Sequence, residues 1–335
     1  MARPVNVAVI GAGSWGSTMA SIIAKRNPTI IWARRDEIAR EIAEEHTNSG
    51  YTGEHRLNEK LRATSDIEEA AGQADVLVMA VPSHGFRGVL EEAAPHVRPW
   101  IPVVSLTKGL EQETNKRMTQ VIGEVLPGHS AGVLAGPNLA REILDGYAAA
   151  ALLAMPDGHV ALSLQDVFRT TMFRVYAGSD VVGAEISGPL KNVFAIAAGM
   201  AAGLSTGDNT LSLVISRSLS ELTRIGMKLG GEMHTFAGLA GAGDLIATCI
   251  SKLSRNRTVG IELAKGRSIA EITAEMKMVA EGVKTSRVVE ELSREHDVEL
   301  PIAHEVFCVC HESKAPIDAF AGLLRRRPTH ELEAG

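Results

Sequence analysis

Residues 5–16 read VNVAVIGAGSWG, and this stretch decides the fold of the first half of the chain. The run VNVAVI is short and largely apolar, which is typical of a buried parallel strand. Gly11, Gly13 and Gly16 then fit the GxGxxG pattern, which permits a tight turn, close approach of the main chain to a pyrophosphate and packing of a helix on the strand. Because the pattern lies between a predicted strand and a predicted helix, a dinucleotide site is favoured over a merely tight turn.

Beyond this stretch, short apolar segments alternate with amphipathic ones through the first half of the chain. The segments that predict strands are 5–10, 29–33, 76–81, 102–106, 131–134 and 149–155. The segments with helical periodicity are 15–26, 37–46, 84–94, 115–125 and 139–144. This alternation predicts an α/β fold of the Rossmann type, with a doubly wound parallel sheet.

The texture of the sequence changes after Gly178. The segments that follow are rich in Ala, Leu, Ile and Met and keep a helical period, namely 179–203, 209–229, 268–276, 282–296 and 301–312. We therefore predict a dinucleotide-binding domain over residues 1–178 and an all-helical substrate and catalytic domain over residues 179–328. Residues 329–335 are predicted to be a flexible tail.

The composition limits the classes of protein to which the chain can belong. A length of 335 residues predicts about two domains. The formal net charge of -6 provides no bulk positive field, so neither nucleic acid nor an anionic membrane surface is expected as a partner. The chain has no uncharged apolar run of about 18 residues, so we expect no integral membrane segment and a cytoplasmic protein.

The cysteines and histidines do not follow the spacing of a metal site. Cys249, Cys308 and Cys310 are a sparse, odd-numbered set, which favours reduced buried thiols over a disulfide framework. His84 follows a predicted central strand and is interpreted as a loop histidine rather than a cofactor contact. We predict that the protein holds no metal ion.

The end of the second predicted strand carries the residues expected to select the cofactor. A fold that binds NAD is expected to have a carboxylate about 20 residues past the glycines, where it grips the ribose 2′-hydroxyl. Here Arg34 and Arg35 come first and Asp36 only follows them. Because a guanidinium suits a 2′-phosphate, we predict that NADP(H) is preferred and that NAD(H) can be used. The alternative is that both arginines are simply solvated.

A Lys–Asn pair interrupts an apolar helical segment in the second half of the chain. Lys191 and Asn192 lie within the run GPLKNVFA. Transfer of a hydride to a carbonyl needs a proton or positive charge at the oxygen that becomes an alkoxide. A lysine is costly to bury, so Lys191 is a candidate proton donor, with an ordinary lysine on the helix surface as the alternative.

Two further cationic groups stand where an anion could be held. Lys108 ends a predicted strand on the carboxyl edge of the sheet, where doubly wound folds bind their ligands. The sequence Ser254-Arg255-Asn256 offers a hydroxyl, a guanidinium and an amide that can contact one phosphate. The alternative for this group is a polar loop without a ligand.

Several strings of the sequence are distinctive in combination. They are GAGSWG, VPSH, TKGLE, AGPNLAREI, PLKNVFAIAAGM, GAGDLIATC, SRNRTVG and VAEGVKT, and they extend from Val5 to about Leu324. With these strings the chain resembles the bacterial NAD(P)-dependent glycerol-3-phosphate dehydrogenase family. The resemblance implies a homodimer that interconverts dihydroxyacetone phosphate and sn-glycerol 3-phosphate and supplies the latter to glycerophospholipid synthesis.

The resemblance also implies roles for individual residues. Lys191 is expected to be the general acid/base on the substrate oxygen, while Lys108 and Asp244 tune the charge around it. The residues expected to contact the substrate are Lys108, Gly136, Asn138, Asn192, Asp244, Ser254, Arg255 and Asn256. Those expected to contact the cofactor are Gly11, Gly13, Ser14, Trp15, Gly16, Arg34, Arg35, Lys108, Ala140, Arg255, Val279 and Glu281. Many relatives have Thr or Ser in place of Asn138, which leaves a hydrogen bond from this side chain to the substrate open.

Two alternative functions remain open from the residues alone. Another two-domain dehydrogenase of the β-hydroxyacid type would share the nucleotide fold and the Lys–Asn pair but differ in its phosphate-binding group. A regulator that senses NADP(H) without catalysis would keep only the nucleotide fold. The strings TKGLE and SRNR argue against the first, and the presence of Lys108, Lys191 and Asp244 argues against the second.

Overall fold

The computed structural model describes residues 4–276 and 280–325 of the chain. These residues divide into two compact units with the boundary between Val181 and Val182, whereas the sequence places the boundary at Gly178. The predicted tail, residues 329–335, and the predicted cofactor contact Val279 lie outside the described residues.

The N-terminal unit is built on one sheet of eight strands, in the order β3-β2-β1-β4-β5-β6-β7-β8. The strands are β1 (Val7–Ile10), β2 (Thr29–Trp32), β3 (Leu61–Thr64), β4 (Val76–Met79), β5 (Val103–Ser105), β6 (Ala131–Ala135), β7 (Ala149–Ala154) and β8 (Phe173–Gly178). Each pair of neighbours is parallel except β6 and β7, which are antiparallel. The strand order steps outward from β1 in both directions, as in a doubly wound sheet.

Helices cover both faces of this sheet. They are α1 (Ser14–Ile23), α2 (Asp36–Arg40), α3 (Ser49–Thr52), α4 (Ile67–Gly72), α5 (Phe86–Ala93), α6 (Met118–Val125), α7 (Ala140–Leu144) and α8 (Gly158–Phe168). Alternate residues of β1 point to different cores, because side chains of a strand alternate between its faces. Val7 and Val9 pack with α1 and α8, whereas Ala8 and Ile10 pack with α4, α5 and α6. The predicted Rossmann-type fold is thereby confirmed.

Two strands and the direction of the last pair differ from the expectation. The edge strands β3 and β8 were not among the predicted strands, because their exposed positions break up the apolar runs that mark the central strands. The antiparallel pairing of β6 and β7 makes the sheet mixed, with β7 and β8 reversed relative to the other strands. An antiparallel edge on an otherwise parallel sheet is common in doubly wound folds.

The described part of the C-terminal unit, residues 182–276 and 280–325, is helical and contains no strand. Its helices are α9 (Val181–Gly203), α10 (Asp208–Lys228), α11 (Met233–Ala237), α12 (Asp244–Ile250), α13 (Arg255–Ala264), α14 (Ile269–Glu275), α15 (Glu281–Glu295), α16 (Pro301–His311) and α17 (Pro316–Arg325). They enclose one core around Phe194, Leu222, Phe236 and Val306. None of the helices in the described part of the chain has the length and apolar character needed to cross a bilayer.

Helices α9 and α13 touch at the level of their main chains. A Cβ atom added to Gly199 on α9 would lie 2.1 Å from the carbonyl oxygen of Arg257, and one added to Gly260 on α13 would lie 2.1 Å from that of Ile196. No methyl group fits at either position without a shift of backbone. The two glycines therefore set the distance between these helices.

Candidate active site

The glycine-rich turn after β1 has the geometry of a pyrophosphate site. Gly11 has a φ of 118°, and a Cβ atom there would lie 2.6 Å from the carbonyl oxygen of Ala80. A Cβ atom on Gly16 would lie 2.0 Å from the carbonyl oxygen of Gly11, whereas none of the described residues other than the two that adjoin Gly13 comes within 4 Å of the corresponding position on Gly13. Gly11 and Gly16 thus serve packing, while Gly13 leaves open space before helix α1, as the binding of a pyrophosphate requires.

A cavity of about 520 Å³ adjoins this turn within the N-terminal unit. Ser14 lines it from the start of α1, Tyr51 and His55 from the segment around α3, and Arg141 from α7. His55 Nε2 lies 2.6 Å from Asp145 Oδ1, and Nδ1 lies 2.6 Å from the carbonyl oxygen of Thr52. The bond to Asp145, followed by the one to Thr52, raises the pKa of His55 above its ordinary value.

Arg34 and Arg35 follow β2 and are both exposed. Arg35 Nε lies 3.8 Å from Glu37 Oε1, in an ion pair whose side chains are largely solvated. The carboxylate of Asp36 is engaged by Arg40 and accepts a hydrogen bond of 3.0 Å from Ser65 Oγ. The two guanidinium groups therefore stand at the carboxyl edge of the sheet, where the ribose of a dinucleotide is bound in such folds.

Lys108 and Gly136 are brought together at the same edge of the sheet. Lys108 follows β5, Gly136 follows β6, and Lys108 Nζ donates a hydrogen bond of 3.0 Å to the carbonyl oxygen of Gly136. Gly136 has a φ of 145°, and a Cβ atom there would lie 3.0 Å from the carbonyl oxygen of Ala150. The strained conformation and the close contact explain why glycine occupies this position.

Asn138 and Trp15 carry buried polar atoms without partners. Both Oδ1 and Nδ2 of Asn138, and Nε1 of Trp15, have no hydrogen-bond partner within the described ranges. Such atoms are costly to bury and are usually satisfied by protein, water or ligand. Asn138 precedes Ala140, the first residue of α7, and Trp15 packs edge-on against Phe173 with ring centroids 6.1 Å apart. Both side chains therefore keep hydrogen-bonding capacity that the described residues do not use.

The C-terminal unit contains a buried cluster around Lys191. Lys191 lies on α9 and is only 6% exposed, so the alternative of an ordinary surface lysine is wrong. Its ammonium forms an ion pair with the carboxylate of Asp244, the first residue of α12, and donates a hydrogen bond of 2.7 Å to Thr248 Oγ1. Thr248 Oγ1 in turn donates 2.6 Å to the main-chain oxygen of Asp244. The three residues fix the position of one buried positive charge.

The predicted phosphate-binding residues lie at the start of helix α13 rather than in a loop. Ser254 is the N-cap, and its Oγ accepts a hydrogen bond of 3.3 Å from the main-chain N–H of Arg257. Asn256 Oδ1 accepts 2.9 Å from the N–H of Gly282, while Arg255 is exposed. The N-terminus of this helix, which has ten residues, favours an anion.

Asn192 and Asn256 both pack against Gly282, which follows Glu281 at the start of α15. A Cβ atom on Gly282 would lie 2.5 Å from the carbonyl oxygen of Asn192 and 2.7 Å from Asn256 Oδ1. The sequence did not single out Gly282 or Thr248. Thr248 follows Asp244 by four residues on a helix, and this spacing is a signal that could have identified it.

Cys249, the neighbour of Thr248, is fully buried and unpaired. Burial raises the pKa of its thiol to about 12, so it stays protonated at neutral pH. Cys308 is also buried and Cys310 is partly buried, both unpaired. The expectation of thiols outside any disulfide therefore holds in the structure, and a protonated thiol such as that of Cys249 is a poor nucleophile.

Comparison with known families covers nearly the whole chain. The family profile described as the N-terminus of NAD-dependent glycerol-3-phosphate dehydrogenase matches residues 6–161. The profile described as the C-terminus of the same enzyme matches residues 180–321. Together they extend over both structural units.

Individual relatives agree with these profiles. A protein of Mycobacterium avium named glycerol-3-phosphate dehydrogenase (NAD(P)+) is 56% identical over 331 residues, which cover 98% of this chain and 97% of the relative. One of Sphingopyxis alaskensis with the same name is 51% identical over 99% of each chain. The crystal structure of glycerol-3-phosphate dehydrogenase from Coxiella burnetii superimposes with a TM-score of 0.90 at 30% identity, covering 96% of this chain and 99% of the other.

Proposed function

This chain belongs to the NAD-dependent glycerol-3-phosphate dehydrogenase family and is an NAD(P)-dependent glycerol-3-phosphate dehydrogenase, and we propose that it reduces dihydroxyacetone phosphate with Lys191 as the general acid and NADPH as the preferred reductant. The observation that carries the proposal is the buried Lys191–Asp244–Thr248 cluster. An ammonium held in an apolar helical core has no evident structural purpose, because a hydrophobic side chain of similar volume serves packing at least as well.

In the proposed reaction Lys191 is the general acid. The cofactor, when bound, supplies the hydride that adds to the carbonyl carbon of the substrate. The electron pair of the C=O bond moves to oxygen, and Lys191 gives that oxygen a proton, so that the product is an alcohol and the lysine is left neutral until it regains a proton from water. Asp244 and Thr248 hold the ammonium in place and stabilise its charge before the transfer.

The remaining residues of the proposed site bind and orient. Ser254, Arg255 and Asn256 at the start of α13 are proposed to hold the phosphate, with Asn192 beside them. Binding of the phosphate, which does not react, then contributes to the orientation of the reacting carbonyl. In the N-terminal unit Lys108 and Gly136 are proposed to contact the substrate. The amide of Asn138, whose two polar atoms have no partner among the described residues, supports a hydrogen bond to the substrate.

The cofactor is proposed to lie along the carboxyl edge of the N-terminal sheet. The open position at Gly13, the start of α1 and the unpartnered indole N–H of Trp15 fit its pyrophosphate and neighbouring groups. Arg34 and Arg35 support the preference for the 2′-phosphate of NADPH, because both are exposed and the carboxylate that follows them in the sequence, that of Asp36, is engaged by Arg40 and Ser65. Ala140, Glu281 and Val279 are further proposed contacts.

We further propose a cytoplasmic homodimer that supplies glycerol 3-phosphate to phospholipid synthesis. Exposed apolar side chains of the C-terminal unit support self-association, among them Leu213 and Met227 on α10 and Ile246 and Ile250 on α12. Light scattering coupled to gel filtration measures the mass, and a monomer at micromolar concentration contradicts the dimer.

The experiment that tests the function follows the absorbance of NADPH with a panel of substrates. We expect rapid oxidation with dihydroxyacetone phosphate, and a kcat/KM lower by orders of magnitude with dihydroxyacetone, which lacks the phosphate, and with ketopantoate, which is a carboxylate. Faster turnover of a carboxylated ketone would identify a dehydrogenase of the β-hydroxyacid type. No oxidation with any ketone would leave only a cofactor-binding protein.

A further inference from the structure

The side chain of Asn48 connects the segment before α3 to the glycine-rich turn. Asn48 is 1% exposed, and its Nδ2 donates hydrogen bonds of 2.9 Å to the carbonyl oxygen of Ala12 and 2.8 Å to Ser17 Oγ. Ala12 lies between Gly11 and Gly13, and Ser17 lies in the first turn of α1. Both hydrogens of this amide are therefore used on the turn and on the helix that the turn begins.

The bond to Ala12 fixes the direction of a neighbouring donor. The peptide unit that joins Ala12 to Gly13 is planar and trans, so its N–H points opposite to its carbonyl group. Because Asn48 holds the carbonyl of Ala12, the N–H of Gly13 is directed away from Asn48. The space beside Gly13 is open, and the main-chain N–H groups of such a turn are the donors that meet a pyrophosphate.

The main chain of Asn48 organises one wall of the adjacent cavity. Its carbonyl oxygen accepts hydrogen bonds of 2.9 Å from the N–H of Tyr51 and 2.8 Å from the N–H of Thr52. Tyr51 and Thr52 line the cavity of about 520 Å³, and Ser14 lines it from the glycine-rich turn. One residue thus connects two parts of the cavity lining.

The remaining atom of the amide argues against a role in stability alone. Asn48 Oδ1 is buried and has no hydrogen-bond partner in the part of the chain that the structure describes. An unsatisfied buried acceptor costs free energy, and an apolar side chain of the same size would avoid that cost. The presence of asparagine is explained if the two bonds from Nδ2 are needed for something other than packing.

We propose that Asn48 is a positioning residue for the cofactor. It acts through Ala12 and Gly13 and through the wall at Tyr51, and it does not itself touch the ligand. Its effect is to hold the donors of the turn in the orientation that the pyrophosphate needs, so that no binding free energy is lost in ordering them. This inference rests on the proposed function, because it assumes that the turn binds NADPH.

The test compares Asn48→Ala with Asn58→Ala in the full-length enzyme. Asn58 lies between α3 and β3, and within the described residues its Oδ1 accepts a local bond of 2.9 Å from the N–H of Lys60. We expect the Kd of NADPH, measured by its fluorescence, and its KM to rise about tenfold in Asn48→Ala, the scale of one well-oriented hydrogen bond to a charged group. The KM of dihydroxyacetone phosphate should change less than twofold, as should all constants of Asn58→Ala.

Two further variants keep the test decisive. Asn48→Asp preserves the shape of the side chain but offers the carbonyl of Ala12 a carboxylate instead of a donor, so it should weaken NADPH at least as strongly. Ser17→Ala removes only the second acceptor and should change the Kd of NADPH by less than threefold. Asn48→Asp supplies the measurement if Asn48→Ala does not fold.

The outcomes separate this inference from the proposed function. A lower melting temperature or a smaller active fraction, with an unchanged Kd and KM, would assign Asn48 to stability and overturn the inference, because neither constant depends on how much enzyme is folded. Failure of both variants to fold would overturn it in the same way. Wild-type protein that binds no NADPH and oxidises none with dihydroxyacetone phosphate would instead overturn the proposed function.

Discussion

The glycine-rich edge of the N-terminal unit and the lysine cluster of the C-terminal unit are opposite in character. At the edge, Gly13 faces open space, Arg34 is exposed, and the two polar side-chain atoms of Asn138 have no partner in the part of the chain that the structure describes. In the cluster, Lys191 and Asp244 are buried and paired with each other. Under the proposed function this difference corresponds to a division of labour, in which the first region would bind the ligand and the second would supply the proton.

The energetics of the two regions should differ accordingly. Replacement of a partly exposed binding residue at the edge is expected to remove only the contacts between that residue and the ligand. A buried ion pair is different, because loss of one partner leaves the other charge without compensation, at a cost of about 3–5 kcal/mol. Substitutions in the cluster are therefore expected to affect both turnover and stability, and those at the edge to affect mainly binding.

The largest effect is expected at Lys191. Lys191→Met should lower kcat by roughly two to four orders of magnitude, the usual scale for loss of a general acid, and leave the Kd of NADPH unchanged. Stopped-flow turnover and fluorescence titration measure the two quantities. The double variant Lys191→Met with Asp244→Asn should recover stability but not activity, because neither member of the buried pair is then charged. Near-normal turnover in Lys191→Met would exclude it as the proton donor.

The next effect concerns the exposed arginines at the edge. Replacement of Arg34 by Asp and Arg35 by Ala should raise the KM of NADPH by roughly 10- to 100-fold, because hydrogen bonds to a charged group contribute about 1.5–3 kcal/mol. The KM of NADH and the melting temperature should stay within about twofold and a few degrees of the wild type. Steady-state kinetics with each cofactor provides the measurement, and a wild type that prefers NADH contradicts the assignment.

Glu221 allows the free-energy cost of burying a carboxylate in the C-terminal unit to be measured. Its hydrogen-bond partners, unlike those of Asp244, are main-chain N–H groups. Its carboxylate accepts hydrogen bonds of 2.8 and 3.1 Å from the N–H groups of Ile302 and Ala303 at the start of α16. Burial raises the pKa of Glu221 to about 7, although these two bonds oppose the rise. Because the folded pKa lies above the unfolded one, the stability it provides is present below about pH 4.5 and is lost as the pH rises to about 7.

The measurement for Glu221 is urea unfolding at pH 5.5 and at pH 8. Between these values wild type should lose about 2 kcal/mol relative to Glu221→Gln, which cannot ionise. If the free energy of unfolding changed equally with pH in the two proteins, the carboxylate would be ionised at both pH values, and the two N–H bonds would outweigh the effect of burial.

The smallest effect is expected at His55, beside the cavity of the N-terminal unit. Its pKa is raised by Asp145 and by the carbonyl of Thr52, so the stability it provides is present below about pH 6.5 and is lost as the pH rises through the raised value. The pair is partly solvated, so His55→Gln should be less stable than wild type by under about 1 kcal/mol at pH 5.5 and equal to it at pH 9. A difference that persists at pH 9 would point to packing instead of charge.

The sequence predicted the central part of the fold because periodicity and turn chemistry are local properties. The apolar run of β1 and the glycines at 11, 13 and 16 predicted the nucleotide fold without reference to distant residues. The strands β3 and β8 lie at the edges of the sheet, where partial exposure removes the apolar signal. The reversal of β7 depends on pairing with β6, which no local pattern specifies.

The sequence indicated candidate residues for the site, but it could not indicate the contacts that these residues make. Lys191 was distinguished by its apolar surroundings, but its bond to Thr248 joins residues 57 positions apart. Asn48 gave no signal at all, because its importance lies in a bond to a main-chain oxygen 36 residues away. The state of Asn138, with both polar atoms unpartnered, is a property of the assembled structure and has no counterpart in the sequence.

The contact between α9 and α13 constrains how this enzyme can change. Gly199 and Gly260 let two main chains touch, on the helices that carry Lys191 and Arg255. Because backbone meets each glycine, neither position can take a larger residue without a shift, so the separation of the two helices is fixed here. Under the proposed function this separation sets how the Lys191 ammonium lies relative to the N-terminus of α13. Directed evolution towards a longer substrate can change the residues that line the pocket. A residue larger than glycine at position 199 or 260, however, would require one of the two helices to move.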